Sequence, residues 1–208
     1  MMNNTSIEQF LDELASKSPT PGGGSAAAIM GAMGAALVSM VCNLTVGKKN
    51  YETVADDMAI TLRQAEALRA RLIDSVSADV AAFDQVMAAY RLPKGTEAEK
   101  QARSDAIQEA LKAATKVPLE CARVCVEVIH LTRLVAIKGN KNVISDAGVA
   151  VVAAHAALRS AALNILVNTG AIYDTAFVAS SLAELERLSE GAGKRVDEIY
   201  ALVKDRLR

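Results

Sequence analysis

The sequence predicts an all-α protein, an antiparallel helical bundle with long central helices, and three observations support this fold class. Apolar residues recur at helical spacing along most of the chain. Aromatic residues, which sheets favour, make up only 3% of the sequence. No segment alternates apolar and polar residues for long enough to form a β-strand. With 208 residues, 51% of them hydrophobic, the chain can bury one sizeable core, so we predict a single domain over residues 1–208.

Charge and cysteine content narrow the classes of function. A net charge of −1 gives no basic excess for a nucleic-acid partner. The segment from Met1 to Ser18 is polar and charged, unlike a secretory signal peptide. Three cysteines lie in apolar segments, at Cys42, Cys121 and Cys125, and this odd number is typical of reduced thiols. We therefore expect a cytoplasmic protein with no nucleic-acid partner, and the Cys and His spacings predict no metal site.

The second predicted helix, from about Ser25 to Val46, organises the rest of the chain. It carries one apolar stripe at three- and four-residue intervals and one stripe of small residues at every fourth position. The stripes are Met30, Met33, Leu37, Met40 and Leu44, and Ala27, Gly31, Ala35, Ser39 and Asn43. Two stripes predict a central helix with two packing faces, one of them available to a second subunit. The helix is also long enough to span a bilayer, which takes about 20 apolar residues. Its polar side chains favour a buried helix instead, and we expect no membrane partner.

Capping residues and helix breakers delimit the other helices. Their predicted ranges are about 6–18, 51–91, 96–137, 147–168 and from 175 to the C-terminus. Ser6 opens the first helix, and a capping box of Thr96 and Glu99 opens the fourth. Pro118 is expected to kink or restart the fourth helix, and Gly191 to interrupt the last one.

The first candidate site is the glycine-rich loop before the second helix. Gly22, Gly23, Gly24 and Ser25 would leave backbone N–H groups unshielded at a helix start, where they can hold a carboxylate, a phosphate or a developing oxyanion. The alternative is a flexible turn with a serine cap. The loop lacks the Gly-Lys-Ser/Thr ending of a P-loop and no strand precedes it, so nucleotide binding is not predicted.

A second group of candidates lies at the far end of that helix and in a polar loop at residues 138–146. Lys48 follows the apolar helix, and Asn140, Asn142 and Asp146 lie in the loop. Each also has a purely structural interpretation, since Lys commonly ends helices, and Ser145 or Asp146 can cap the next one.

The long third helix contributes two carboxylates. Asp79 and Asp84 flank Phe83 and are five residues apart, so at most one can point inward with the apolar stripe. His130 and His155 lie in apolar helical segments, where we expect core or interface histidines rather than catalysts.

Several strings, in order along nearly the whole chain, resemble the cyclodeaminase/cyclohydrolase family of folate enzymes. They are Ser18-Pro-Thr-Pro-Gly-Gly-Gly-Ser25, Asn43-Leu-Thr-Val-Gly-Lys48, Ala82-Phe83-Asp84, Val117-Pro118-Leu119, Gly139-Asn140-Lys-Asn142 and Ser145-Asp146. The two loop motifs together are specific to the family. The resemblance implies an all-α, dimeric protein that acts on the one-carbon bridge between the 5- and 10-nitrogens of tetrahydrofolate.

The resemblance also implies a reaction and roles for the candidates. Water would add to the methenyl carbon, and cleavage at the 5-nitrogen would leave 10-formyltetrahydrofolate. We expect Asp146 to orient the water or offset the amidinium charge, and Lys48 to move a proton or stabilise oxygen. Asn140 and Asn142 would bind pterin or formyl groups, and Asp79 or Asp84 the pterin amino group. The amides of residues 22–25 would face an oxyanion or the carboxylates of the folate tail.

Cyclohydrolase is the leading prediction because no formiminotransferase segment precedes Met1. The alternatives are formiminotetrahydrofolate cyclodeaminase and a non-catalytic helical folate-binding or interaction protein. No dinucleotide fingerprint is present, so we expect no NAD(P), no metal and no cofactor beyond the folate substrate. A homodimer is expected.

Overall fold

The computed structural model describes residues 5–208, and long helices account for most of them. The helices are α1 (Ile7–Leu14), α2 (Gly23–Asn43), α3 (Ala55–Tyr90), α4 (Glu97–Lys138), α5 (Ile144–Thr169), α6 (Thr175–Ser189) and α7 (Ala192–Arg206). Single 3-10 turns at Glu52–Val54 and Lys141–Val143 lead into α3 and α5. Residues 5–208 contain no β-strand, so the all-α prediction is confirmed.

Helices α2 to α5 pack around one apolar core, and helices consecutive in the chain run in opposite directions. Ser25 at the start of α2 donates a hydrogen bond to Asp79 in the second half of α3. Lys138 at the end of α4 forms an ion pair with Asp57 at the start of α3. Helices α6 and α7 cover the outer sides of α4 and α5.

Small residues let α2 approach its neighbours closely, as its stripe predicts. Ala27, Gly31, Ala35 and Ser39 of that stripe are buried, and only Asn43 is exposed. A Cβ atom on Gly31 would lie 3.0 Å from the Cys125 sulfur on α4, and one on Gly34 would lie 3.0 Å from the Ala150 carbonyl oxygen on α5. Larger side chains here would push α4 and α5 away from α2.

The second stripe of α2 is partly exposed in the single chain, since Met30 and Leu37 pack against the core. Met33, Met40 and Leu44 are exposed, with 57% of the Met33 surface accessible. Helix α5 also exposes apolar side chains, including Val149 and Leu163. Helix α2 and the segment 141–169 are both long and apolar enough to cross a membrane, and the apolar window of α2 is 61% buried within the bundle.

Three expectations about helix ends are wrong. Helix α4 continues through Pro118, because the buried proline removes one helical hydrogen bond without breaking the surrounding packing. The expected restart at Pro118 is therefore wrong, and the alternative of a kink stays a prediction. Helix α5 begins at Ile144 after a 3-10 turn, so Asp146 lies in its first turn and is not its cap. Gly22 is the N-cap of α2, so Ser25 lies inside the helix and does not cap it.

Other predicted ends are confirmed. The Ser6 side chain accepts a hydrogen bond from the Gln9 amide at the start of α1. Thr96 and Glu99 form both hydrogen bonds of the capping box at the start of α4. Gly191, in the left-handed region at φ 65°, separates α6 from α7.

Candidate functional site

A cavity of about 460 Å³ opens at the glycine-rich end of α2. Its walls come from the loop before α2, the second half of α3, the middle of α4 and the end of α5. Its lining includes Gly22, Gly23, Gly24, Asp79, Phe83, Met87, Tyr90, Leu111, Ala114, Pro118, Asn164, Val167 and Asn168. The structure thus brings the predicted glycines and one of the two predicted aspartates of α3 into a single cavity.

The carboxylate of Asp79 is fixed against the first turn of α2. The Ser25 hydroxyl donates a 2.8 Å hydrogen bond to its Oδ2 atom, and Ser25 itself is fully buried. A Cβ atom on Gly24 would lie only 2.6 Å from the Asp79 Cγ atom, so this approach requires glycine at position 24. Asp84, by contrast, is exposed and does not line the cavity.

The cavity also contains groups that sequence reasoning missed. Asn164 and Asn168 come from α5, and the Asn164 Nδ2 atom donates to the Ser160 carbonyl one turn earlier. Pro118 has no N–H group, so the carbonyl of Ala114, four residues before it, lacks its usual helical donor. The position of Pro118 inside a long helical pattern is the sequence signal for this missing donor.

Lys48 and the polar loop meet at the opposite end of α2. The Asn140 amide donates to Thr45 Oγ1 at 2.9 Å, and Asn140 Nδ2 donates to the Leu44 carbonyl at 2.8 Å. The Asn142 amide donates to Asn140 Oδ1. The buried side chain of Asn140 therefore joins the loop to the end of α2, and Asn142 remains exposed.

The hydrogen bonds of Asn140, which we call the polar clamp, hold Lys48 and Asp146 at the same end of the bundle. Both are half-buried, Lys48 after the last turn of α2 and Asp146 in the first turn of α5. A Cβ atom on Gly139 would lie 2.6 Å from Val41 Cγ1, so glycine allows the end of α4 to approach α2. The Arg206 guanidinium donates to the last carbonyls of α4, including that of Ile137 at 2.7 Å.

The two groups of candidates are separated by the length of α2. Its 21 residues span about 30 Å at 1.5 Å per residue. Within one chain, the cavity around Asp79 and the end that carries Lys48 and Asp146 are therefore separate regions.

The remaining titratable candidates lie outside the cavity. His130 is exposed in the single chain, so it is not a core residue, and the alternative of an interface position stays a prediction. The residues packed beside its ring and the charge of the nearby Arg195 lower the pKa of His130. Among residues 5–208, no group of three or more His, Cys, Asp or Glu side chains is placed to hold a metal ion.

Residues 6–187 match the family model described as formiminotransferase-cyclodeaminase. The chain belongs to this family. Methenyltetrahydrofolate cyclohydrolase of Methylorubrum extorquens is 59% identical over 207 residues, which cover 100% of both chains.

Two further relatives in the formiminotransferase-cyclodeaminase family are named as cyclodeaminases. Formimidoyltransferase-cyclodeaminase of Sus scrofa is 35% identical over 201 residues, which are 97% of this chain and 36% of the pig protein. The crystal structure of formiminotetrahydrofolate cyclodeaminase from Thermotoga maritima is 35% identical and superposes with a TM-score of 0.84, covering 100% of this chain and 98% of that one.

Proposed function

We propose that this protein is a methenyltetrahydrofolate cyclohydrolase, which hydrolyses 5,10-methenyltetrahydrofolate reversibly to 10-formyltetrahydrofolate. The observation that carries the proposal is the 59% identity to the Methylorubrum extorquens enzyme along the full length of both chains. The proposed enzyme is cytoplasmic and uses no metal, no NAD(P) and no other cofactor. It has no nucleic-acid or membrane partner.

The reaction adds one water molecule across a C–N bond. The water oxygen bonds to the methenyl carbon, which carries the delocalised amidinium charge, and gives a tetrahedral intermediate. The bond from that carbon to the 5-nitrogen then breaks. One water proton ends on the 5-nitrogen and the other is released, so the formyl group remains on the 10-nitrogen.

Lys48 and Asp146 are the proposed catalytic pair. A carboxylate near the amidinium stabilises its positive charge and can orient the attacking water. A lysine ammonium can deliver a proton to the departing 5-nitrogen or stabilise the developing oxygen charge. The polar clamp of Asn140 supports the pair, since it ties the end of α2 to the start of α5.

A homodimer would bring the two regions of the site together. Helix α2 exposes an apolar stripe, and its central residue, Met33, is 57% exposed. A two-fold axis that crosses α2 near Met33 would pair the helix with its partner copy in the opposite direction. Lys48 of one subunit would then lie beside the Asp79 cavity of the other, because Gly24 and Asn43 lie about 14 Å and 15 Å from Met33 along the helix.

The direct test is the loss of absorbance of methenyltetrahydrofolate, measured against its spontaneous hydrolysis. Lys48→Ala and Asp146→Ala proteins should each lose about 100-fold or more of kcat/KM while remaining folded by circular dichroism. Near-wild-type rates in both variants would contradict the assignment of the catalytic pair.

Formiminotetrahydrofolate cyclodeaminase activity is the second candidate. It is favoured by the match to the Thermotoga maritima structure and to the pig protein. That reaction closes the formimino group and expels ammonia, passing through a tetrahedral carbon at the same position. Release of ammonia from formiminotetrahydrofolate, without hydrolysis of the methenyl compound, would favour this candidate. Failure to bind any folate would favour a non-catalytic role.

A further inference from the structure

The cavity at the glycine-rich end of α2 is rich in hydrogen-bond acceptors and poor in positive charge. Its described lining contains the carboxylate of Asp79 and the carboxamides of Asn164 and Asn168, but no Lys, Arg or His. Phe83, Met87 and Leu111 supply apolar walls. Such a lining suits a flat ligand with hydrogen-bond donors along one edge, and it does not suit an anion.

Ser25 controls which atoms of Asp79 a ligand can reach. The hydroxyl of Ser25 is fully buried and donates to Oδ2, so it cannot itself line the cavity. Its hydrogen bond, together with the missing side chain at Gly24, holds the carboxylate in one orientation at the cavity wall. An oriented carboxylate can accept two parallel hydrogen bonds from adjacent donors.

The Ala114 carbonyl is a candidate second acceptor, on the wall that α4 contributes. Ala114 and Pro118 both line the cavity, and Pro118 cannot donate to that carbonyl. A nearly buried carbonyl without a donor is costly, and a ligand donor would satisfy it.

We propose that this cavity binds the pterin ring of the folate substrate, with Asp79 and the Ala114 carbonyl accepting hydrogen bonds from the ring donors and Ser25 positioning Asp79. The proposal rests on the proposed function and adds the part of the substrate that this region recognises. The ring matches the cavity because its 2-amino group and its neighbouring ring N–H are adjacent donors on a flat, largely apolar body. Asp84, which is exposed, has no part in this recognition.

The carboxylates of the folate tail lie outside this cavity. The positive end of α2 already faces the Asp79 carboxylate, so a second carboxylate at Gly24 would meet a like charge. No cation from the described part of the same chain lines the cavity, and the Lys48 that the proposed dimer brings beside it is assigned to the reacting 5-nitrogen. The amides of residues 22–24 therefore serve Asp79 and the ring rather than the tail.

The first test measures binding of two probes by calorimetry, tetrahydrofolate and 6-methyltetrahydropterin, which has the ring without the tail. Asp79→Asn should raise the Kd of both probes by about 10- to 100-fold, because one acceptor becomes a donor. The matched control is Asp74→Asn, which removes an exposed carboxylate of the same helix outside the cavity and should leave both values unchanged. Unchanged binding of both probes by the Asp79→Asn protein would overturn the proposal.

Two further variants separate recognition from folding. Ser25→Ala should raise KM by about 3- to 10-fold with kcat within about twofold, since it acts on binding through Asp79. Pro118→Ala restores the N–H group that pairs with the Ala114 carbonyl, so it should weaken tetrahydrofolate binding while the helix remains as stable as before or becomes more stable. A Pro118→Ala protein that binds both probes like wild type would refute the role of the carbonyl.

Different results would overturn the proposed ring-binding site and the proposed hydrolysis. A wild-type protein that hydrolyses methenyltetrahydrofolate, together with an Asp79→Asn protein of unchanged KM and Kd, would leave the function standing and overturn the ring site. A wild-type protein that neither hydrolyses nor binds folate would overturn the function and, with it, this inference.

Discussion

Because Gly24 has no side chain, the carboxylate of Asp79 can pack against the start of α2 and line the cavity. The Asp79 side chain occupies the space that a Cβ atom on Gly24 would need, and Ser25 one residue later holds Oδ2. Gly22 and Gly23 have more room, with the nearest atoms to a Cβ at 3.5 Å and 3.8 Å. The three glycines are therefore not equivalent, although they are adjacent in the sequence.

Gly24→Ala should displace Asp79 and lower kcat/KM with methenyltetrahydrofolate by about 10- to 100-fold, because small shifts of a positioning group are costly. Gly23→Ala, where the new methyl group meets Asn164 at an ordinary contact distance, should lose less. Steady-state kinetics of both variants, with circular dichroism to confirm folding, would test this order. Equal losses in the two variants would contradict it.

The thiols are buried and should be unreactive in the native protein. Burial raises the pKa of the Cys42 thiol from 9.0 to about 11. A hydrogen bond with the neighbouring Cys121, together with burial, also raises the pKa of Cys125. Iodoacetamide at pH 8 should therefore modify the unfolded chain quickly and the native protein very slowly, as measured by mass spectrometry.

The raised thiol pKa also predicts how stability changes with pH. A thiol that is protonated more strongly in the folded than in the unfolded state contributes stability that is fully present below pH 9 and is lost as pH rises through about 11. The free energy of unfolding should fall over this interval by no more than about 3 kcal/mol on account of Cys42. A Cys42→Ala protein should show a smaller decrease, and an identical pH profile would contradict the assignment to Cys42.

At the scale of the elements, the end of α4 is set by one glycine and one arginine. Gly139 leaves its helix with an extended backbone, and a Cβ atom there would lie 2.5 Å from the Val135 carbonyl oxygen. The Arg206 side chain of α7 caps the last carbonyls of α4. The loop that carries Asn140 and leads to Asp146 therefore depends on contacts from α2 and α7.

Gly139→Ala should lower the free energy of unfolding by about 1–3 kcal/mol, because its methyl group overlaps α2 and the α4 backbone. The matched control is Gly170→Ala, at the end of α5, where the nearest atoms to a Cβ lie at 3.5 Å and 3.6 Å. Urea unfolding of the two variants would measure the difference. A Gly139→Ala protein as stable as the control would show that the helix ends can separate without cost.

An ion pair ties α6 to α4 and should respond to acid. The Arg123 guanidinium donates to both carboxylate oxygens of Glu184, at 2.6 Å and 2.9 Å, and holds the pKa of Glu184 below its usual 4.5. The ion pair stabilises the folded protein above pH 4.5. This contribution is lost as pH falls through the pKa of Glu184 in the folded state, which is lower than 4.5.

Because the pair is partly solvated, Glu184→Gln should cost only about 0.5–1 kcal/mol at pH 7. The difference from wild type should shrink as pH falls below 4.5, since wild-type Glu184 becomes neutral as well. Urea unfolding at pH 7 and pH 3 would measure both values. A difference that persists unchanged at pH 3 would mean that packing, rather than charge, connects the two helices.

At the scale of the whole molecule, the two regions of the proposed site lie at opposite ends of α2. The cavity lies at the start of the helix and the Lys48–Asp146 region at its end, about 30 Å away. The proposed homodimer resolves this separation by pairing opposite ends of two α2 helices, so that each complete site takes residues from both subunits.

Mixed dimers provide the test of this arrangement. A dimer of one Lys48→Ala subunit and one Asp79→Asn subunit would contain one site with both defects and one site with neither, so it should recover about half of the wild-type activity. Dimers of either variant alone should remain inactive or weakly active. The measurement uses co-expressed subunits with two different tags and purification by both. If each site were built from one chain, the mixed dimer would recover no activity.

Much of the fold could be predicted from the sequence because local chemistry decides it. Capping at Ser6 and Thr96 and the break at Gly191 follow from backbone hydrogen bonding within a few residues. A restart at Pro118 does not occur because tertiary packing keeps α4 continuous there. Asp146 is not a cap because the 3-10 turn at Lys141–Val143 leads directly into α5, which begins at Ile144, two residues before Asp146.

The candidate site was predictable only in part. Helical spacing indicated that no more than one of Asp79 and Asp84 could face inward, but only the packed helices identify Asp79 as the one that lines the cavity. Asn164 and Asn168 gave no local signal, since their role comes from the approach of the end of α5 to the start of α2. The helical class, the central position of α2 and the residue types available for chemistry follow from periodicity and composition, so they can be predicted from the sequence. Which side chains share a cavity depends on how the helices pack, because contacts such as that between Ser25 and Asp79 join residues 54 positions apart.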